Sequence, residues 1–157
     1  MSISVLFVCL GNICRSPTAH GVFENLVKEH GHDEMIRIDS AGTGSWHIGA
    51  PPDERSAAVA LQRGYDLSHI RARKVTSEDF NQFDYILAMD YQNLSDLSGM
   101  RPSGYQGHLS LFLDFAQAAE SEVPDPYYGG PKGFDHVLDL VEQASDGLLK
   151  HILKARP

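Results

Sequence analysis

Cys9 and Arg15 stand six positions apart, with Leu10-Gly11-Asn12-Ile13-Cys14 between them and Ser16 directly after. A thiol, a fixed cation and a short loop containing Gly-Asn are the parts needed to hold a tetrahedral oxyanion against a nucleophile. A loop of this length, folded over a helix N-terminus, aims several backbone N–H groups at one point, and the helix dipole favours negative charge there. Arg15 adds a planar donor pair matched to two phosphate oxygens. The same donors stabilise a thiolate. A free thiol with a pKa of about 8.5 is only about 3% ionised at neutral pH, whereas helix N-termini and nearby cations bring cysteines to about 3.5–7.5. The competing reading makes Cys9 a small buried hydrophobe ending a strand and Arg15 a surface charge, which is the commoner fate of a free cysteine. The Gly11-Asn12 turn and the helix start that follows it favour the reactive reading. The loop has neither the Lys-Ser/Thr pair of a nucleotide P-loop nor the glycine spacing of a dinucleotide fold.

The elements that must position this segment are legible around it. Ile3 to Cys9 is apolar at nearly every position from Val5 onward, as in a strand buried on both faces of a parallel sheet. Ser16-Pro17 predicts a helix start with Ser16 as N-cap. Its apolar face is Ala19, Val22, Phe23, Leu26 and Val27, and Gly31 ends it. Met35 to Ala41 reads as a second strand, before the Gly/Ser loop that carries Trp46. Asp53 caps a helix running to Arg63, with Ala57, Ala60 and Leu61 on one face and Gly64 at its end. Arg71 to Lys74 is too charged to assign. Asp84 to Met89 and His108 to Leu113 are the third and fourth strand candidates, with helical pieces after Asp90. Gly133 to Lys154 forms a last helix with Phe134, Val137, Leu138, Val141, Leu148 and Ile152 on one face. This alternation implies an α/β fold, a single three-layer domain over residues 1–157 with about four parallel strands and helices on both faces. Ligands in such sheets bind beyond the strand C-termini, which is where Leu10 to Ser16 falls.

Composition limits the partners. The 157 residues carry 13 Lys+Arg and 21 Asp+Glu, a formal net charge of −8. That balance argues against a nucleic-acid backbone or an anionic membrane surface as partner. The apolar run Val5 to Leu10 is too short to span a bilayer and lacks the flanks of a signal peptide. Two cysteines, Cys9 and Cys14, do not make a disulfide scaffold, so a reducing cytoplasm is the expected location. His30 and His32 flank Gly31 at a helix end, and His20, His47, His108, His136 and His151 show no metal-ligand spacing. No metal and no cofactor are expected.

The sequence resembles the low-molecular-weight protein tyrosine phosphatases. The resemblance rests on CLGNICRSPTAHGVF near the N-terminus, IDSAGT at 38–43 and DPYY at 125–128, and it extends over essentially the whole chain. It implies the flavodoxin-like sheet of that family and a metal-independent phosphotyrosine hydrolase acting through a cysteinyl-phosphate intermediate. Carried over residue by residue, Cys9 resembles the nucleophile, Arg15 the clamp on the phosphoryl oxygens and Asp125 the general acid. An unaided aspartate near 3.9 would be almost wholly ionised at neutral pH, so an acidic-to-neutral optimum is expected. Leu10, Gly11, Asn12, Ile13 and Cys14 complete the phosphate-binding loop. Ser16 resembles a hydroxyl that donates to the thiolate. Asn12 looks like the loop residue held at positive φ, fixed by contacts with Ser40 and His69. Trp46, Tyr127 and Tyr128 resemble aromatic walls that admit phosphotyrosine and leave shorter phosphoserine out of reach. Cys14 stands where the family forms a reversible disulfide with its nucleophile; a buried cysteine facing the helix is the plain alternative. A phosphotyrosine-containing protein substrate, phosphate or similar oxyanions in the loop, and a monomer are implied.

Three rivals fit less well. An arsenate reductase of the same fold needs relay cysteines downstream, and none follows Cys14. A phosphate-binding module has no use for Cys9 and Asp125 together. A thiol redox sensor leaves the segment 125–128 unexplained.

Overall fold

The computed structural model describes residues 2–126 and 130–155. Its four strands are β1 (Ile3–Cys9), β2 (Ile36–Gly42), β3 (Tyr85–Ala88) and β4 (His108–Leu111). They form one sheet in the order β2-β1-β3-β4, every neighbouring pair parallel. The helices are α1 (Arg15–Glu29), α2 (Glu54–Gln62), α3 (Asp79–Gln82), α4 (Tyr91–Met100) and α5 (Pro131–Ala155), with a 3-10 turn at Phe112–Phe115. Because β2 and β3 flank β1 on opposite sides, the crevice beyond Cys9 lies at the point where the connections change direction.

Alternation along β1 divides the core. Val5, Phe7 and Cys9 pack with residues of α1 and α5, whereas Leu6 and Val8 pack with Phe80 of α3 and Leu97 of α4. Phe7 meets Phe23 and Phe112 edge to face, with ring centroids 5.8 and 5.0 Å away. Helices therefore cover both faces, as the near-continuous apolar run of β1 requires. The six positions assigned to the apolar face of the last helix are all buried. At 1.5 Å per residue that helix is about 37 Å long. Among the described residues, no helix is long and apolar enough to cross a membrane.

Local signals place most boundaries. Asp53 caps α2 by accepting from Arg55 N at 2.9 Å, and Asp90 caps α4 by accepting from Asn93 N at 2.8 Å. Gly31 and Gly64 follow their helices with φ of 77° and 91°.

Four expectations change. Ser16 is not the N-cap: α1 begins at Arg15, and Cys14 occupies the cap without a side-chain bond. The Ser16 hydroxyl is instead drawn into the loop. Leu61 is 65% exposed, and Ser56 joins Ala60 on the buried side of α2. The fourth strand stops at Leu111, because Phe112 to Phe115 coil into the 3-10 turn. The charged segment 71–74 joins the sheet after all, since Lys74 bridges to Gly42 in parallel. One of its charges is paired with acids of neighbouring elements: Arg73 contacts Asp39 and Asp79 at 3.1 and 3.0 Å.

Candidate active site

β1 delivers Cys9 to the floor of the 9–16 loop. Asn12 N donates to Cys9 Sγ at 3.3 Å, and Ser16 Oγ lies 3.0 Å from the same sulfur. Among the described residues Asn12 is the non-glycine residue with positive φ, 58°, which turns the chain back over the sulfur. Its side chain bonds in both directions. Nδ2 donates to Ser16 Oγ at 2.7 Å, and Oδ1 accepts from Arg73 N at 3.0 Å. With that proton coming from Asn12, the Ser16 hydroxyl is free to turn its own proton toward the sulfur.

The end of β2 supports the loop from beneath. Thr43 N and Gly44 N donate to the carbonyls of Cys9 and Leu10, both at 2.9 Å. At Gly42 a Cβ would stand 2.8 Å from Leu10 O, closer than side-chain carbons come, so only glycine admits the loop there.

Arg15 is 3% exposed, yet three acceptors or charges surround it. Its Nη1 donates to Asp90 Oδ2 at 2.6 Å and to Val123 O at 3.2 Å. Its Nη2 lies 3.8 Å from Asp125 Oδ2. Burial opposes the charge, but Cys9, Asp90 and Asp125 outweigh it and hold the guanidinium above its ordinary pKa. Arg15 is a permanent cation at the rim of the sulfur's cavity. Val123 N donates to Met89 O at 2.7 Å and Tyr91 N to Glu122 Oε2 at 2.8 Å, so the segment bearing Asp125 is stitched to the exit of β3.

A cleft of about 420 Å³ opens above the loop, lined by Cys9, Leu10, Gly11, Ile13, Cys14, Arg15, Trp46, His47 and Asp125. Trp46 is 70% exposed at its mouth. The structure therefore brings together the sulfur, the arginine, the carboxylate and the tryptophan named from sequence. Tyr127 and Tyr128 lie outside the described residues. Asp90, Val123, His47 and Arg73 were not singled out. Asp90 had a signal, an acid immediately past a buried strand and before a helix; the others act through backbone groups or proximity that spacing does not reveal.

Ser40 and His69 do not hold Asn12. Ser40 Oγ bonds His20 Nδ1 at 3.0 Å, and His69 Nε2 lies 2.7 Å from Glu24 Oε1. The expected contact is replaced because the Arg73 amide occupies the Asn12 acceptor and Ser16 takes its donor. Cys14 is buried, and it and Cys9 are both free thiols. Burial pushes the Cys14 thiol up to about 12; Ser56 opposes this, while Asp53, Cys9 and Asp125 add to it.

An anion loop at the switch point of a parallel sheet, with a thiol inside it and a carboxylate across from it, places the chain among the α/β phosphatases. Comparisons agree: the family model described as low molecular weight phosphotyrosine protein phosphatase matches residues 4–157. The low molecular weight phosphotyrosine protein phosphatase of Schizosaccharomyces pombe is 46% identical over 154 residues, 96% of this chain and 97% of the relative. The low molecular weight protein-tyrosine-phosphatase YfkJ of Bacillus subtilis is 41% identical over 155 residues, 98% of each. A crystal structure of a protein tyrosine phosphatase from Entamoeba histolytica superposes with a TM-score of 0.95 at 42% identity, covering 98% of this chain and 99% of the other. The chain belongs to the low molecular weight phosphotyrosine protein phosphatase family and is a phosphoric monoester hydrolase of that kind.

Proposed function

We propose that the protein hydrolyses phosphotyrosine in a protein substrate, without a metal, through a phosphate ester on Cys9. The observation that carries this reading is the sulfur held at the loop floor by Asn12 N and Ser16 Oγ, at 3.3 and 3.0 Å, with Arg15 and Asp125 on the same cleft. In the first step the Cys9 thiolate attacks phosphorus, the P–O bond to the phenol breaks, and Asp125 gives its proton to the leaving oxygen. Loop amides and Arg15 neutralise the equatorial oxygens as charge spreads over them. In the second step water attacks phosphorus, Asp125 takes back a proton, and the S–P bond breaks. Ser16, donating to the departing sulfur, makes Cys9 a better leaving group. Leu10, Gly11, Ile13 and Cys14 form the rest of the phosphate cradle.

Trp46 at the mouth, and Leu10 and Ile13 along the cleft, suit the flat apolar face of a phenyl ring. Reaching a sulfur at the floor favours the longer phosphotyrosine over phosphoserine. Tyr127 and Tyr128, outside the described residues, are further substrate-pocket residues only by the family resemblance. Residues 1–157 act as one catalytic domain, as a monomer in the cytoplasm, with no role for nucleic acid or membrane.

The test is hydrolysis of p-nitrophenyl phosphate in excess EDTA by the parent and by Cys9→Ser. Turnover that survives EDTA and vanishes in the variant is expected. Loss of activity in EDTA, or activity retained by Cys9→Ser, overturns the mechanism.

A further inference from the structure

α1 carries a second polar cluster one turn beyond Ser16. His20 is 7% exposed, and its Nδ1 is hydrogen-bonded to Ser40 Oγ at 3.0 Å. Its Nε2 lies 3.5 Å from Glu24 Oε2, while the other oxygen of that carboxylate is 2.7 Å from His69 Nε2. One donor atom from each of the three residues lies within 4.8 Å of the other two. His20 and Glu24 are four residues apart on α1, which stacks them on one helix face. His69 arrives from the segment between α2 and the Lys74 bridge to Gly42, and its ring meets that of His20 edge to face with centroids 6.0 Å apart.

Two imidazoles and one carboxylate are a ligand set suited to first-row divalent cations, zinc foremost. When His20 Nδ1–H donates to Ser40, Nε2 turns its lone pair toward a carboxylate oxygen, an arrangement that a cation between them converts from repulsion to coordination. Ser40 is then the outer partner that fixes the tautomer and aims the ring. Bonds of about 2.0–2.1 Å in a tetrahedron place ligand atoms about 3.3 Å apart, so the 2.7 Å contact of His69 with Glu24 must open while the wider separations close. Rotation of Glu24 and His69, whose side chains are 43% and 50% exposed, accomplishes this while His20 stays fixed. Among the described residues no other group of histidine, cysteine and carboxylate donors converges in this way.

We propose that His20, Glu24 and His69 bind a zinc-like divalent cation at a site separate from the phosphate loop, with water completing the coordination. Sequence spacing does not mark this cluster, because the neighbours of His20 are a glutamate one helical turn on and a histidine distant in sequence. The cation ties α1 to the chain leading to Arg73 and takes no part in phosphoryl transfer.

The test is titration of tag-free protein with Co²⁺, followed by visible d–d absorption, with Zn²⁺ as competitor. The parent and Cys9→Ser are expected to bind one ion equally, and without the thiolate-to-metal charge-transfer band that a cysteine ligand produces. Glu24→Gln and His69→Gln alter half-exposed side chains, and circular dichroism checks their folds. Each is expected to weaken binding by at least about tenfold, since even outer partners of a ligand are worth about 10- to 100-fold. Equal affinity in the parent and both variants, no saturable binding, or binding lost in Cys9→Ser overturns the proposal.

Discussion

Arg15 and Asp90 form an ion pair, 2.6 Å between Nη1 and Oδ2, that joins the chain leaving β1 to the chain leaving β3. One carboxylate oxygen of Asp90 caps α4 while the other fixes the guanidinium. The orientation of the phosphate clamp is thus tied to the start of a different helix. Asp90→Asn keeps the capping acceptor and removes the charge. Misplacement of a reacting group by about 1 Å can cost about 100-fold, so kcat/KM for an aryl phosphate is expected to fall by about that factor. Kinetics together with a thermal melt check this, because a fall caused by unfolding would appear in the melt.

Asp125→Asn removes the proton donor of the proposed mechanism but leaves the loop intact. The expected loss in kcat is about 10²- to 10⁴-fold for phosphotyrosine. It should shrink for aryl phosphates whose phenols are more acidic, because those leaving groups need less help. An equal loss across a leaving-group series would show that Asp125 acts in some other way.

Asn12 combines a left-handed backbone with two side-chain bonds, and two substitutions separate these contributions. Asn12→Gly keeps the conformation at little steric cost and loses the bonds, which is expected to destabilise by about 1–3 kcal/mol. Asn12→Ala should lose a further 1–2 kcal/mol, roughly the cost of the left-handed region for a residue with a Cβ. Urea unfolding of both variants gives the difference directly.

Cys14 shares the loop with Cys9, the proposed nucleophile, and burial pushes its thiol up to about 12. After brief peroxide treatment, the parent is expected to regain activity with added thiol, and Cys14→Ala to regain much less. Equal recovery would remove Cys14 from any protective role.

His108, away from the active cleft, predicts a pH effect on stability. Burial lowers its pKa, the charge of His151 lowers it further, and Asp114 opposes them. Because the folded value lies below the unfolded one, the unfolded chain takes up the proton first as pH falls. Stability is therefore lost from about pH 6.5 downward, the ordinary imidazole value, until the folded form also titrates. Thermal melts from pH 7.5 to 5 should fall less steeply for His108→Gln than for the parent.

Much of this architecture was legible because the sequence stated it locally. The apolar run of β1, the Asp53 cap and the buried stripe of α5 each announce an element within a few residues. Cys9 and Arg15 could be named from residue chemistry and spacing, Asp125 and Trp46 only through the family resemblance. Ser16 misled as a cap because the hydroxyl that suits a helix end also suits a sulfur, and the tertiary contact won. The 71–74 segment hid its bridge to Gly42 because Arg73 finds partners at Asp39 and Asp79, whose positions only the fold supplies. Ser40 and His69 were assigned to Asn12 through the family resemblance; here they meet His20 and Glu24 instead.

The bonds beneath the loop run in one line, one to the Asn12 side chain and two between backbone groups. Arg73 N reaches Asn12, Gly42 N reaches Arg73 O, and Val75 N reaches Gly42 O. Three segments far apart in the chain therefore share one set of amides, and none can open alone. In hydrogen exchange, Gly42, Arg73 and Val75 should lose protection together, with a common opening energy. The loop that cradles Cys9 then has the lifetime of that cooperative unit, longer than a surface loop of its length would have by itself.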